Sequence, residues 1–124
     1  MNTSEEITLF HKILKKEIPS TCVYENDKIY AFRDINPQAA VHVVIIPKEL
    51  KGLNMLEKAT EDHIDLLGNL ILGAKLTAEK LELKEGYRVV INNGRYGCQS
   101  VNYIHLHLLG GQQLGWPPGT QVDI

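Results

Sequence analysis

"QSVNYIHLHLLGG", residues 99–111, sets the terms for the rest of the chain. His105 and His107 alternate with Ile104, Leu106 and Leu108 just ahead of a Gly-Gly break. Successive side chains of a strand point to opposite faces. A strand here therefore puts Tyr103, His105 and His107 on one face and the aliphatic residues on the other, where they pack. Two neighbouring imidazoles opposite such a well-buried face call for an explanation.

The segments around it supply the partners of that strand. "CVYENDKIYAFRD" (22–34) reads as two short strands about a turn at Glu25-Asn26-Asp27, and "VHVVIIP" (41–47) as a β-branched strand closed by Pro47. "YRVVIN" (87–92) is another strand, and "NYIHLHLL" (102–109) is the last. Ile7, Phe10, Ile13 and Leu14 recur at helical spacing over residues 7–17, before Pro19 stops the helix. From Thr60, a plausible N-cap, Ile64, Leu67, Ile71, Ala74, Ala78 and Leu81 mark one face of a second helix. Leu66 and Leu70 widen that apolar stripe, either as a well-buried helix or as a second face set against another subunit. The order α, β-hairpin, β, α, β, β predicts an α+β domain on a mostly antiparallel, five-stranded sheet with two helices. The tail after Gly115, stiffened by Pro117-Pro118, runs extended over a surface.

With 124 residues, 44% hydrophobic and 23% charged, the chain suits one domain with a real core. No linker or repeat divides residues 1–124, and flexible ends are expected at 1–6 and 120–124. A net charge of −2 supplies no basic field for nucleic acid or anionic membranes. Cys22 and Cys98 form no CxxC pair and read as two reduced thiols. No run approaches the ~20 apolar residues of a membrane span, and no leader pattern opens the chain. An intracellular protein is expected, cytoplasmic or also nuclear.

A His-x-His strand has three common readings: a surface accident, a pair of metal ligands, or a catalytic pair. A metal needs a third or fourth ligand, and Cys98 is the only candidate near the motif, so no metal and no cofactor are expected. Catalysis gains from the neighbours. One imidazole with a free nitrogen is a nucleophile at neutral pH, and a second can hold a phosphate oxygen or move a proton. Asn92, Gly94, Gly97, Gln99 and Ser100 lead into the strand with the composition of a phosphate cradle, although a Gly-rich loop is also an ordinary turn.

Taken together, "GCQSVNYIHLHLLGGQQLGWPPG" (97–119) resembles the signature of the histidine triad proteins, specifically their Hint branch, whose pattern is His-φ-His-φ-His-φ-φ. "KKEIPS", "AFRDINPQA", "HVVIIPK" and "GYRVVIN" extend the resemblance in order over about residues 7–119. The resemblance implies a homodimer with sheets joined across its axis, and metal-free hydrolysis of purine nucleoside 5′-phosphoramidates such as adenylyl-lysine. It implies His105 as the nucleophile that becomes nucleotidylated, His107 at the phosphate, and His42 as the more distant histidine. Asp34 matches the ribose-binding acid, Ile35 and Phe32 the wall around the base, and Asn92 and Ser100 the polar groups at the phosphate and departing amine. Gly97, Cys98, Gln99 and Val101 fall within the same substrate-binding segment. Trp116 is expected beside the partner's site.

The chain departs from the pattern at Tyr103, which stands where the first triad histidine is expected. It keeps the main-chain carbonyl that orients the nucleophile and loses a side-chain imidazole on the His42 side. Its ring is expected to project toward the catalytic side, with activity retained but altered. Cys98 stands where glycine is usual. Two rivals follow: a purine nucleotide-binding protein with little turnover, and a dinucleoside polyphosphate hydrolase, against which "WPPG" and Gln99-Ser100 argue.

Overall fold

Residues 6–120 are described by the structure, a computed structural model. The ends expected to be flexible lie outside the described residues except for Glu6 and Thr120. Glu6 accepts a hydrogen bond from Asn102 Nδ2 at 2.9 Å.

Five strands form one antiparallel sheet. They are β1 (Cys22–Glu25), β2 (Ile29–Arg33), β3 (Val41–Pro47), β4 (Tyr87–Val90) and β5 (Leu106–Gly110), in spatial order β1-β2-β3-β5-β4. The α+β reading holds, and β1 and β4 form the edges. The last strand starts later than its apolar alternation suggests. Ile45 pairs with Leu106, and two steps further along β3 stands Pro47, which has no N–H to continue a ladder. Tyr103, Ile104 and His105 thus approach the sheet without joining it.

Alternation divides the sheet into two faces. Ile29, Ala31, Val43, Ile45, Leu106 and Leu108 pack against α2 (Ile64–Lys80). On the opposite face Tyr30, Phe32, Val44, Ile46 and Tyr103 pack against Phe10 and Ile13 of α1 (Leu9–Leu14). The first helix is shorter than residues 7–17. Thr8 and His11 cap it reciprocally, and Lys16 at φ 62° turns the chain out of helix before Pro19 is reached.

The stripe on α2 is rotated from the one expected. Leu66 and Leu70 are 7% and 0% exposed against the sheet, whereas Ile64 and Ile71 are 64% and 54% exposed. The inner stripe runs Leu66, Leu70, Gly73, Thr77, and two of its members do not read as apolar. Gly73 lies so close to the sheet that a Cβ there would stand 2.9 Å from Ile29 Cγ1. Thr77 turns its hydroxyl back onto the Gly73 carbonyl at 2.7 Å, presenting only its methyl to the core. Leu66 and Leu70 are therefore core residues and cannot serve a second subunit. Thr60 does act as a cap, but of a 3-10 turn (Glu61–His63) that leads into α2. No helix among the described residues is long and apolar enough to cross a membrane.

Two glycines on α2 predict opposite signs. Gly73→Ala gains about 1 kcal/mol of helix propensity, yet it drives a methyl into a β-branched side chain that is itself fully buried, at about 1–3 kcal/mol. The net effect expected in urea unfolding is destabilisation. Gly68→Ala meets nothing within 4 Å and should stabilise by about 0.5–1 kcal/mol. Stabilisation by Gly73→Ala would show that the helix does not sit on Ile29.

Candidate active site

The face covered by α1 holds a cavity of about 250 Å³. Leu9, Phe10, Ile13 and Ile18 line one side of it, Phe32, Arg33, Asp34 and Ile35 another, and Ser100, Val101, His105 and His107 the rest. A larger hollow of about 530 Å³ beside Glu82–Arg88 has no imidazole in its lining. The chemistry therefore belongs to the smaller one.

His105 is 3% exposed, and its Nδ1 lies 2.7 Å from the Tyr103 carbonyl. A carbonyl only accepts, so Nδ1 carries the hydrogen and Nε2 keeps its lone pair. Phe10 holds the ring edge-on, with centroids 5.0 Å apart. Burial pushes the His105 pKa down, against the raising effects of that hydrogen bond and of Asp34. Burial, then the neighbouring His105 and His42, push His107 down to about 4. Both rings are therefore neutral near pH 7, as a nucleophile needs to be.

Behind His107 lies His42, 7% exposed, whose Nε2 is 2.9 Å from His107 Nδ1 and 3.4 Å from Asp34 Oδ2. Asp34 Oδ1 accepts the Asn36 N–H at 2.8 Å. Asp34, His42 and His107 each offer one ligand atom within 4.8 Å of the others, a third partner that spacing along the last strand does not reveal.

The remaining expected residues are placed differently. Gln99 faces its own loop, accepting from Gly94 N–H and donating to the Asn54 and Val101 carbonyls at 2.9, 2.8 and 3.1 Å. Gly97 packs on Asn93, leaving no room for a Cβ, and Cys98 takes φ 66° with an exposed side chain. Asn92 lies half-buried just beyond β4. None of these four lines the cavity. Trp116 is 83% exposed, on a tail tied down by Arg88 Nη2 donating to the Gly115 carbonyl at 2.7 Å. The α1 wall of Leu9, Phe10 and Ile13 was not expected at the site. Its helical spacing reads as core, and Phe10 and Ile13 serve both purposes.

Tyr103 shares the catalytic face as expected, but its ring lies beneath Phe10 and His11 rather than in the cavity lining. Its hydroxyl donates to the Pro47 carbonyl at 2.5 Å, at the opposite end of β3 from His42. It makes no link toward His42. Burial raises its pKa, so the phenol stays neutral. Tyr103→Phe removes a buried donor and should cost about 1–3 kcal/mol of stability. Turnover should change by less than ~10-fold, about 1.4 kcal/mol of barrier. A variant of unchanged stability and collapsed kcat would put the phenol in the chemistry instead.

Comparison with known proteins agrees with this geometry. The family model described as HIT domain matches residues 15–114. A 14 kDa zinc-binding protein of Zea mays is 62% identical over 112 residues, covering 90% of this chain and 88% of that one. The adenylylsulfatase HINT1 of Arabidopsis thaliana is 58% identical over 116 residues, 94% of this chain and 79% of that protein. Among solved structures, a HIT family hydrolase from Legionella pneumophila superposes with a TM-score of 0.85 at 46% identity, covering 91% of this chain and 100% of that one. Another from Clostridium thermocellum gives 0.83 at 40% identity, covering 94% and 98%. With sequence, fold and imidazole cluster in agreement, the chain belongs to the histidine triad family, among its hydrolases.

Proposed function

We propose that the chain hydrolyses the P–N bond of purine nucleoside 5′-phosphoramidates, through a nucleotidyl intermediate on His105. The observation that carries this reading is the His105 ring: buried, neutral, and held by the Tyr103 carbonyl so that Nε2 presents a lone pair. Attack by Nε2 forms an N–P bond while the substrate's P–N bond breaks. The amine leaves with a proton drawn from solvent through the Ser100 hydroxyl, which the later hydrolysis returns to solvent. Water then displaces the nucleotide and restores His105, so one difficult displacement becomes two easier ones. His107 holds a phosphate oxygen, and Ser100 offers a hydroxyl to the departing nitrogen. Phe10, Ile13, Phe32 and the rim residue Ile35 suit a flat purine, and the Asp34 carboxylate suits a ribose diol.

Adenylyl sulfate is a second candidate, because the Arabidopsis relative is named an adenylylsulfatase. One observation favours it: His107, with its pKa near 4, is a poor acid at neutral pH, and sulfate leaves without needing a proton. The maize relative's name raises zinc. Two nitrogens on one tetrahedral zinc stand about 3.3 Å apart, both with lone pairs inward. The His42–His107 contact of 2.9 Å is a hydrogen bond, in which one nitrogen carries hydrogen. In this hydrogen-bonded arrangement the pair does not turn both lone pairs toward a common metal, and no step here uses one.

Steady-state assays with adenosine phosphoramidate and adenylyl sulfate, beside an AMP titration, test the reading. His105→Ala should reduce turnover roughly 10³-fold or more while AMP binding persists. The acid limb of kcat/KM should fall below the ordinary imidazole value of about 6.5, because burial keeps His105 unprotonated there. Wild-type turnover in His105→Ala ends the assignment. AMP binding with no turnover by the wild type would leave a nucleotide-binding protein.

We also propose a homodimer. β4 is an edge strand with Tyr87 and Val89 41% and 36% exposed, and α2 leaves Ile71 54% exposed. A second copy pairing edge to edge would cover these and bring Trp116 near the partner's site. Light scattering at micromolar concentration should give twice the chain mass, and Val89→Glu should halve it. A monomeric wild type removes the proposal.

A further inference from the structure

We propose that the main-chain N–H of Gln38 sets which nitrogen of His42, and through it of His107, carries hydrogen, and that Gln112 holds the loop bearing that N–H. A neutral imidazole has one N–H and one lone pair, so fixing one nitrogen fixes the other. Gln38 N donates to His42 Nδ1 at 3.0 Å, and a main-chain amide can only donate. His42 Nδ1 is therefore the lone pair and Nε2 the N–H. That hydrogen faces two acceptors, His107 Nδ1 at 2.9 Å and Asp34 Oδ2 at 3.4 Å. His107 Nδ1 accepts, which leaves the His107 hydrogen on Nε2, on the far side of the ring from His42.

The sense of this chain has a consequence. Run in reverse, with hydrogen on His107 Nδ1, the pair would keep the same 2.9 Å contact but turn a lone pair of His107 outward. Phosphate oxygens would then meet repulsion in place of a donor. An isolated His42–His107 pair has no reason to prefer one sense. The Gln38 amide supplies that reason from the Nδ1 side, and Asp34 Oδ2, 3.4 Å from Nε2, acts in the same sense. It also places hydrogen on the His42 nitrogen that a metal would need bare, since a ligating histidine ordinarily donates from its other nitrogen.

The amide must in turn be held. Residues 34–40 link β2 to β3, and Gln38 Nε2 donates to the Asn36 carbonyl at 3.0 Å within that loop. From outside it, Gln112 Oε1 accepts the Ala40 N–H at 2.7 Å. Gly111 brings Gln112 there: it takes φ 78°, and a Cβ on it would stand 3.1 Å from Ala40 Cβ. Gln112 is thus a positioning residue, two positions along the loop from the amide it steadies.

Two-bond ¹H–¹⁵N spectra of the labelled protein, without substrate at pH 7, read the tautomers directly. His42 and His107 should show Nε2–H, and His105 Nδ1–H. Hydrogen on His42 Nδ1 would overturn the proposal. Gln112→Met, similar in size but without the acceptor, should populate the second His42 tautomer, with hydrogen on Nδ1. Gln112→Glu, which keeps an acceptor, should restore the wild-type spectrum. Wild-type tautomers in Gln112→Met would remove Gln112 from the chain of control. The donor role of His107 rests on the phosphoryl-transfer reading above. The spectra need no turnover, so failure of one is distinguishable from failure of the other.

Discussion

The hydrogen bond from His105 Nδ1 to the Tyr103 carbonyl is the constraint around which the site is arranged. It spans only two residues, so it requires the chain from 103 to 105 to keep its own carbonyl free. A ladder running through this segment would compete for that oxygen. Pro47 prevents the ladder from extending, and its carbonyl binds the Tyr103 hydroxyl. Phe10 on α1 then covers both Tyr103 and His105 with edge contacts. A short helix, a strand end and a proline thus combine to point one lone pair into the cavity.

The tyrosine is best understood in that setting. At this position the chain needs a carbonyl, which any residue supplies, and a side chain that fills the layer between α1 and β3. Tyr103 is 1% exposed and meets both demands with one neutral hydrogen bond. A charged imidazole in the same place would have to be desolvated among Phe10, Tyr30 and Ile46. The departure from the usual triad pattern thus falls on a packing position rather than on a group that lines the cavity.

Much of the fold was legible because β-branched alternation and a wide helical stripe are strong signals. Strands β1 and β2 fall within "CVYENDKIYAFRD", with Glu25 in β1 rather than in the turn, and β3 matches "VHVVIIP". The errors have physical causes. The α2 stripe was misaligned because Gly73 and Thr77 act as apolar surface without reading as such. At the site, His105 and His107 were legible from the alternating strand, while His42 and Asp34 were reached only through the family resemblance. The roles of Gln38 and Gln112 were not, since one acts through its main chain and the other across 72 positions to Ala40. Gln99 reads as a phosphate donor by composition, yet its amide is fully engaged by its own loop. Hydrogen-bonding capacity is visible in a sequence, but its allocation is not.

An anion site in a chain of net charge −2 has to find its attraction locally. Among the described residues lining the cavity, Arg33 is the one cation, and it is exposed. Inside, neutral rings and hydroxyls take the place of lysines. Buried cations would bind a phosphate more tightly in its ground state, and they would hold the product as firmly as the substrate. Oriented neutral dipoles act at short range in a low-dielectric cavity, where they need no reorganisation as charge shifts during displacement. Their weakness is that an imidazole dipole reverses when its hydrogen changes nitrogen. A site built from such groups therefore depends on whatever fixes its hydrogens: the Tyr103 carbonyl for His105, and the Gln38 amide for the pair behind it. Main-chain groups suit that task, because substituting a side chain does not remove them and no change of pH titrates them.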